Sequence, residues 1–387
     1  MRFFVVLPLA LGAISLSFAQ PKEIIGANPN SQAPLSPAVK AGGFIYVSGT
    51  SGVAGGKGDI KGQTKVALDA IAARLKLAGS SMANACLVSI YLRNSGDYAG
   101  MNEVYTSYFP KDPPARVTVI VDGTPAADGL FEISMIAVPD GAERKVLKPE
   151  GWSNSPLPYS YAIQSGNTVF MAGLVSRNGI DNSNVKGDVT AQTNYIMSNA
   201  RAILNEAGMT PNDVVQSRVY ITDAANFQTM NAAYRSAFTA APPARATLRT
   251  GLTGPDYLIE IGMIAVKDSS RTAINGPGAV NPNLSAAIRV GNRLFISGTT
   301  GSTPENKGDP PAQTTVALGR VADIVKQAGF TMPDVVEGMA YVPDRTKFPE
   351  VNAAYRTAFQ KDFPARTGVS VGLMSAAGAE FSFIAQK

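Results

Sequence analysis

Residues 112–121 read DPPARVTVIV, in which an arginine follows two prolines and enters a run of β-branched residues. Proline does not continue a helix and β-branched residues favour strands, so this stretch predicts a strand that begins at Arg116. The same Pro-Ala-Arg triplet returns twice along the chain, ending at Arg245 and at Arg366. A motif that recurs at similar intervals indicates a chain built from repeated units.

Three more landmarks recur in the same register. Lys-Gly-Asp begins at Lys57, Lys186 and Lys307; Gln-Thr begins at Gln63, Gln192 and Gln313; an Ala-Gly pair ends at Gly79, Gly208 and Gly329. We therefore predict three tandem domains over residues 20–144, 145–270 and 271–387. Gly/Pro/Ser-rich linkers are predicted around Pro139–Leu157 and Lys267–Asn283, because such residues favour turns over packed structure.

Each unit predicts the order β-α-β-α-β-β, an α+β layer with its helices on one sheet face. In the first unit we predict a strand at Phe44–Val47, helices at about Ile60–Ala78 and Tyr98–Phe109 with a strand around Cys86–Leu92 between them, and a closing hairpin of Arg116–Val121 with Leu130–Val138. The strand at Arg116 carries apolar groups on both faces. The faces left uncovered are therefore expected to pack together, giving an intramolecular pseudo-trimer.

Composition limits the chemistry that the chain can perform. The 387 residues include no histidine and one cysteine, Cys86. This excludes Ser-His-Asp and Cys-His machinery, H-E-x-x-H metal sites, an intramolecular disulfide and cysteine-rich zinc sites. The formal charge of +5 is spread over scattered side chains, so no nucleic-acid partner is expected.

The first residues have the pattern of a secretory signal. Arg2 precedes an apolar run from Phe3 to Phe18, and small residues at Ser17 and Ala19 suit a cleavage site. We predict a signal peptide over residues 1–19 and a secreted or periplasmic chain with no membrane contact after cleavage. The alternative is an uncleaved anchor, although the run is shorter than the roughly 20 residues that span a bilayer.

Arginine and glutamate are the polar residues that every unit repeats on its closing strands. The glutamates are Glu132, Glu260 and Glu380. A guanidinium grips a carboxylate through paired donors, and a glutamate can orient or deprotonate water. If the closing strands pair, the arginine and glutamate of one unit reach the same rim of the sheet and could anchor a small carboxylic acid and add water to it. The alternative is a sheet-edge salt bridge copied by duplication.

The repeated motifs resemble a known family. Ser-Gly after the first strand, Asn-x-x-Tyr on the second helix, Pro-Ala-Arg, and Glu-x-x-x-Ile-Ala at the end of each unit are similar to the RidA family, also called YjgF/YER057c/UK114. The resemblance implies chorismate-mutase-like α+β domains and clefts between the subunits of a trimer. It also implies hydrolysis of reactive 2-imino acids to 2-keto acids and ammonia. Three fused units would make a monomer that mimics the homotrimer.

The resemblance also implies roles for individual residues. Arg116, Arg245 and Arg366 match the arginine that holds the substrate carboxylate; Glu132, Glu260 and Glu380 match the glutamate of the hydrolytic water; Asn102, Asn231 and Asn352 match the family asparagine. The family serine is present as Ser48 and Ser297 but is Ala172 in the second unit, and the family tyrosine is present only as Tyr159, with Leu35 and Leu284 elsewhere. A cleft is complete only if it takes its serine and its tyrosine from different units.

These observations leave two main hypotheses. The first is an exported deaminase of the 2-iminobutanoate/2-iminopropanoate type that needs no metal or organic cofactor, because a protonated imine is already electrophilic. The second is a non-catalytic protein that uses the same clefts to bind a small carboxylate or to dock a partner. An endoribonuclease would require a basic groove, which the scattered charges do not support.

Three further residue types have simpler interpretations. Cys86 aligns with Val215 and Val336 and is predicted to lie in the core. Asp59 and Asp188, in the Lys-Gly-Asp triplets, are predicted to cap helix N-termini. Trp152, in the first linker, either packs on a domain edge or contacts a neighbouring molecule.

Overall fold

The computed structural model describes residues 22–28, 30–53, 58–276, 280–359 and 361–387, so the predicted signal segment lies outside the described residues. The first domain contains β1 (Glu23–Ile25), β2 (Ala38–Ala41), β3 (Phe44–Thr50), α1 (Ile60–Leu77), β4 (Ala85–Leu92), α2 (Tyr98–Tyr108), β5 (Ala115–Ile120) and β6 (Phe131–Ala137). The second contains β7 (Lys145–Leu147), β8 (Ala162–Ser165), β9 (Thr168–Met171), α3 (Val189–Glu206), β10 (Val214–Ile221), α4 (Phe227–Arg235), β11 (Ala244–Arg249), β12 (Gly251–Leu252) and β13 (Ile259–Val266). The third contains β14 (Thr272–Ile274), β15 (Ala287–Val290), β16 (Arg293–Thr300), α5 (Pro310–Gln327), β17 (Val335–Tyr341), α6 (Phe348–Phe359), β18 (Ala365–Val369), β19 (Gly372–Leu373) and β20 (Glu380–Gln386).

Each domain opens with more strands than the sequence predicted. A short strand pairs with the first long hairpin in every domain, as β1 does with β2. Two of these short strands, β7 and β14, lie inside the stretches predicted as linkers and join the sheet of the domain that follows. The connections between domains are therefore shorter than the Gly/Pro/Ser composition suggested.

The closing hairpin of the prediction was wrong. In the first sheet the strand order is β1-β2-β3-β6-β4-β5, so β4 lies between the strands of Arg116 and Glu132. Strand β4 pairs parallel with β5 and antiparallel with β6. The turn-rich connection from β5 to β6 crosses over β4, and the arginine and glutamate of one domain consequently lie apart.

Backbone pairing also connects the domains in a ring. Strand β12 of the second domain pairs with β5 of the first, and β19 of the third pairs with β11 of the second. The first domain reaches the third through Asp122 and Gly123, which exchange backbone hydrogen bonds with Ser370. Each domain thus continues the sheet of its neighbour at the same topological position, as in a closed trimer.

The sheet faces not covered by helices form the centre of the molecule. Val119, Leu248 and Val369, at equivalent positions of β5, β11 and β18, are fully buried in one cluster with Tyr91, Tyr220 and Tyr341. Burying a side chain of this size contributes roughly 1.5–3 kcal/mol. The predicted pseudo-trimer is confirmed, and the hydrophobic effect explains why both faces of these strands are apolar.

The repeated landmarks have local structural roles. Asp59, Asp188 and Asp309 cap helices α1, α3 and α5 by accepting hydrogen bonds from backbone N–H groups of the first turn, which confirms the capping prediction. The buried amide of Gln63 accepts from the backbone N–H of Leu130 at 2.9 Å and so fixes the start of β6. Gln192 does the same for Leu258 at 2.9 Å.

The two singular residues are both structural. Cys86 is buried in the central core, as predicted, and burial raises the pKa of its thiol to about 12. Trp152 packs edge-on against Tyr161, with ring centroids 5.1 Å apart, and covers Gly179 of its own domain. Of the two alternatives for Trp152, the structure shows packing on a domain edge.

Candidate functional site

The arginine and glutamate that every unit repeats come together between domains, not within one domain. Arg116 of the first domain and Glu260 of the second line one cavity. The positive charge of Arg245 lowers the pKa of the Glu380 carboxyl in the third domain, and that of Arg366 lowers the pKa of Glu132 in the first. The three sites are called here the Arg116, Arg245 and Arg366 clefts. Among the described residues none of these arginines joins an ion pair, so the sheet-edge salt bridge was wrong.

Two residues of the Asn-x-x-Tyr motif hold each arginine. Arg116 donates from Nη1 to Asn102 Oδ1 at 2.8 Å, and Tyr105 lies beneath the guanidinium, with Cζ 4.8 Å from the ring centroid. Asn231 and Asn352 bind Arg245 and Arg366 at 2.6 and 2.7 Å, and Tyr234 and Tyr355 stack at 4.9 and 4.5 Å. One helical turn separates the two motif residues, so both face the strand that carries the arginine. The asparagines position the arginines.

The glycine of the Ser-Gly or Ala-Gly pair after the first strand makes room for the glutamate of each domain. A Cβ on Gly173 would lie 1.9 Å from Glu260 Oε1, and one on Gly49 or Gly298 would meet Glu132 or Glu380 at 2.2 or 1.9 Å. Only glycine leaves room for the carboxyl at these positions. The glutamates therefore lie against the backbone of their own domain and face the arginine of the preceding one.

Burial controls the protonation of these glutamates. Desolvation raises the pKa of Glu132 and Glu260 to about 8 and that of Glu380 to about 7, while the arginine of the neighbouring domain acts in the opposite direction. Glu260 also accepts a hydrogen bond from the backbone N–H of Thr118 at 3.3 Å, which lowers its pKa. A carboxyl that titrates near neutral pH can both accept and return a proton.

The Arg116 cleft contains a narrow cavity of about 30 Å³. Tyr98, Arg116 and Thr118 line it from the first domain; Tyr159, Gly173 and Glu260 are among the residues that line it from the second. Tyr98 accepts a hydrogen bond from Arg116 Nη2 at 3.1 Å, and the Tyr159 ring lies 5.8 Å from the guanidinium carbon. The cavity therefore presents a guanidinium and a carboxyl to a small molecule, with aromatic walls.

The structure places the serine and the tyrosine in different clefts. Ser48 accepts from the backbone N–H of Arg366 at 2.8 Å, and Ser297 accepts from that of Arg245 at 2.8 Å. Tyr159 lines the Arg116 cleft, whose serine position is Ala172. Since both residues come from the same domain in every cleft, no cleft combines them, and the possibility of one complete set was wrong.

Sequence reasoning missed two groups of site residues. Ser36, Ser160 and Ser285 each bind a proline or phenylalanine carbonyl just before the neighbouring domain's arginine, at 2.5, 2.6 and 2.6 Å. They recur at a fixed distance before the first strand, a signal that the repeat comparison contained. Arg177, which lines the Arg116 cleft, has no counterpart in the other units and left no signal in the repeat.

The described ranges contain no group of three or more His, Cys, Asp or Glu residues placed to hold a metal ion. No helix of that part of the chain is long and apolar enough to cross a membrane.

Fold and site together define a fused, trimer-like chain of three α+β domains with an arginine–glutamate cleft at each domain boundary. The chain belongs to the endoribonuclease L-PSP family, whose model matches residues 25–139, 153–267 and 274–386, and the resemblance to RidA proteins is confirmed. A RutC family protein of Pyrococcus abyssi is 40% identical over 124 residues, which cover 32% of this chain and 93% of the relative. The 3-aminoacrylate deaminase RutC of Acinetobacter baylyi is 39% identical over 122 residues, 32% of this chain and 97% of that protein.

One solved structure resembles more than a single domain. A chorismatase crystal structure aligns with 78% of this chain and 93% of its own, with a TM-score of 0.51 and 16% identity. This likeness concerns the fold, and it shows that the arrangement of more than one of these domains has a known counterpart.

Proposed function

We propose that this protein hydrolyses small reactive 2-imino acids to 2-keto acids and ammonia in its interdomain clefts. The observation that supports this most directly is the Arg116 cleft, where a cavity brings together a carboxylate-binding guanidinium and a glutamate whose pKa is about 8. The deaminase relative from Acinetobacter baylyi supports the reaction class. A 2-imino acid supplies the carboxylate for Arg116 and an electrophilic carbon for a water beside Glu260.

The chemistry follows from these groups. Ionised Glu260 takes a proton from water while the oxygen attacks the C=N carbon, and the C=N electron pair moves to nitrogen. The proton held by Glu260 then passes to the amine of the tetrahedral intermediate. As the C–N bond breaks and the keto group forms, the hydroxyl proton passes through Glu260 to the departing ammonia, which leaves as an ammonium ion, and Glu260 is again ionised. The protonated imine and water thus give a 2-keto acid and an ammonium ion.

Arg116 contributes binding and orientation rather than proton transfer. Its guanidinium is fixed by Asn102, Tyr98 and Tyr105, so a bound carboxylate is held without ordering a flexible side chain. Charge-assisted hydrogen bonds of this kind place the reacting carbon near the carboxyl of Glu260. The positive guanidinium also favours the ionised form of Glu260, which is the form that accepts the proton.

The test is to generate 2-iminopropanoate with an amino-acid oxidase, in the presence of catalase, and to trap the remaining imine with semicarbazide. The proposal predicts faster loss of the trapped imine with the protein than without it, and loss of that acceleration in Glu260→Gln. Retained binding of 2-oxobutanoate with no acceleration would instead support a non-catalytic carboxylate-binding protein. Single-stranded RNA should be assayed as a second substrate, since the family model is described as an endoribonuclease.

We also propose that the chain is exported after cleavage near Ala19, because residues 1–19 have the charge and hydropathy of a signal peptide. Expression with residues 1–19 in place and N-terminal sequencing of the recovered protein test this proposal. A new N-terminus near Gln20 in the exported fraction supports it. An intact Met1 in that fraction contradicts it.

A further inference from the structure

A second guanidinium lines the Arg116 cleft. Arg177, on the segment between β9 and α3, borders the same cavity as Arg116 and Glu260. Among the described residues neither arginine is joined to a carboxylate in an ion pair. Glu260 also lines the cavity, but with a pKa of about 8 it is mostly protonated at pH 7, so the two guanidiniums then carry more positive charge than one substrate carboxylate can balance.

Both the backbone and the side chain of Arg177 are fixed. Asn199 of α3 donates to the Arg177 carbonyl at 2.8 Å. Tyr257, whose hydroxyl donates to Asn184, accepts from Nε and Nη2 of Arg177 at 3.1 and 3.0 Å. Because its position is already determined, Arg177 can bind an anion with little loss of side-chain entropy.

Both arginines have N–H groups left to donate to a ligand. A guanidinium has five N–H groups. Arg177 uses three of them on Tyr257 and Tyr159, and Arg116 uses two, on Asn102 and Tyr98. Each guanidinium therefore retains at least two N–H groups, which is what one carboxylate can accept.

Tyr159 contacts both guanidiniums. Its ring centroid is 5.8 Å from the Arg116 Cζ, and its hydroxyl is 3.4 Å from Arg177 Nη1. Because one tyrosine side chain reaches both arginines, two carboxylates on a short carbon chain can reach both as well.

We propose that the Arg116 cleft selects dicarboxylates, namely 2-imino dicarboxylic acids of four or five carbons and their 2-keto products, with one carboxylate on Arg116 and the other on Arg177. This inference deepens the proposed function and rests on it only for the use of Arg116 as a carboxylate anchor. Arg177 has no equivalent in the other two clefts, because Val53 and Ser302 lie five residues after Ser48 and Ser297, where Arg177 follows Ala172. The Arg366 cleft has a second arginine from a different element, Arg74 of α1, which acts on Glu132 and donates to Thr50 Oγ1 at 2.6 Å. The pairing of Arg116 with Arg177 is therefore specific to one cleft.

The test is direct binding, which requires no turnover. Calorimetric titration of the protein with 2-oxoglutarate, oxaloacetate and 2-oxobutanoate measures the affinity and stoichiometry of each. The single tryptophan, Trp152, packs on Gly179 near Arg177 and gives an independent fluorescence signal. We expect one dicarboxylate per chain, bound about tenfold or more tightly than 2-oxobutanoate.

Two variants of Arg177 and one control identify the site. Arg177→Gln is expected to weaken dicarboxylate binding about tenfold or more and to change 2-oxobutanoate binding less than about twofold. Arg177→Lys keeps the positive charge but loses the planar guanidinium, so its dicarboxylate affinity should lie between those of the parent and Arg177→Gln. The control is Arg320→Gln: this half-buried arginine binds the Thr300 carbonyl at 2.6 Å in the third domain and should leave dicarboxylate binding unchanged.

Each outcome decides the inference. Equal affinities for the mono- and dicarboxylates, three dicarboxylates per chain, or a loss of binding in Arg320→Gln equal to that in Arg177→Gln would overturn it. If Arg177→Gln does not fold, Arg177→Lys gives the same comparison, and unaltered dicarboxylate binding in that variant counts against the inference. Tight, Arg177-dependent binding without imine hydrolysis would remove the proposed function and leave the dicarboxylate site standing.

Discussion

Arg116 and Glu260 line the same cavity although they belong to different domains and to different sheets. The arrangement arises because each glutamate lies against the Ser-Gly or Ala-Gly segment of its own domain, which contacts the arginine strand of the domain before it. In the Arg116 cleft, the backbone N–H of Gly173 donates to the Arg116 carbonyl at 3.1 Å. The proposed carboxylate binding and proton transfer would therefore both depend on the closed ring of domains.

Substitution of the three arginines should affect activity unequally. Arg116→Ala is expected to lower kcat/KM for a 2-imino acid by about a hundredfold or more, because a charge-assisted pair contributes roughly 3 kcal/mol to binding and orientation. Arg245→Ala and Arg366→Ala should cost less, since their clefts lack the tyrosine at the position of Tyr159. Steady-state assays of the three variants check this prediction. Equal losses in all three would show that the clefts act alike.

Activity should rise with pH up to about 8. Burial raises the pKa of Glu260 to about 8, so only about a tenth of this carboxyl is ionised at pH 7. If ionised Glu260 accepts the proton from water, kcat/KM increases about tenfold per unit between pH 6 and 7 and levels off above pH 8. Rates corrected for uncatalysed hydrolysis at each pH measure the profile. A flat profile would contradict the role of Glu260 as a base.

The same burial predicts that Glu132→Gln stabilises the fold at alkaline pH. Folding raises the Glu132 pKa from 4.5 to about 8, so its contribution to the free energy of unfolding is complete below pH 4.5 and is lost as pH rises through 8. The free energy of unfolding of the variant should therefore equal that of the parent at pH 4. Above pH 8 it should exceed that of the parent by a few kcal/mol, the order of magnitude that the pKa shift implies. Urea unfolding across this range measures the difference. Glu103→Gln, at an exposed glutamate that pairs with Lys61, should show no such pH dependence.

A buried ion pair between two domains offers a double-mutant test. Arg218 donates to Glu337 at 2.8 Å across the boundary of the second and third domains, with side chains 9% and 12% exposed. Removing one partner leaves a buried charge, so Arg218→Met alone should cost about 3–5 kcal/mol.

The double variant Arg218→Met/Glu337→Gln should recover most of that loss. It introduces the residues already present at the equivalent strand positions, Met339 and Gln216, which are buried in the same core region. Denaturant unfolding of both variants gives the coupling energy. Additive losses would show that the pair does not interact as the structure indicates.

The serine after the first strand is expected to stabilise domain contacts. Ser48 accepts from the Arg366 N–H and donates to the Ser36 carbonyl, so it links two domains through buried backbone groups. Ser48→Ala should cost about 1–2 kcal/mol, the penalty for an unsatisfied buried group. The converse change Ala172→Ser should add about 1 kcal/mol, because the Arg116 cleft lacks this link. Thermal unfolding of the two variants measures both effects, and a destabilising Ala172→Ser would indicate that the site has no room for the hydroxyl.

Most of the secondary structure could be predicted from the sequence, because it depends on local pattern. The helices at Ile60–Leu77 and Tyr98–Tyr108 and the strands around them follow from apolar spacing, capping aspartates and glycine ends. The short strands β7 and β14 could not be found in this way, since three residues carry too little periodicity and their pairing partners, β8 and β15, lie beyond an intervening loop.

The site was predicted as a set of residues but not as a geometry. The repeat identified the arginines, glutamates and asparagines, and the structure brings each arginine to its own asparagine. The expected pairing of Arg116 with Glu132 was wrong, because the hairpin rule assumes that consecutive strands are neighbours and β4 lies between them. Arg177 escaped notice because a residue present in one repeat only has no internal comparison.

The sequence by itself determined that three copies of one α+β unit follow one another, that each copy repeats an arginine and a glutamate in a chain without imidazole, and that one face of each sheet needs a partner. These properties are fixed by composition, periodicity and repetition along the chain. Only the tertiary structure decided which arginine faces which glutamate, because that pairing depends on strand order and on the closure of the ring. It also placed Arg177 and Arg116 in the lining of one cavity, a relation between distant segments that local sequence pattern does not encode.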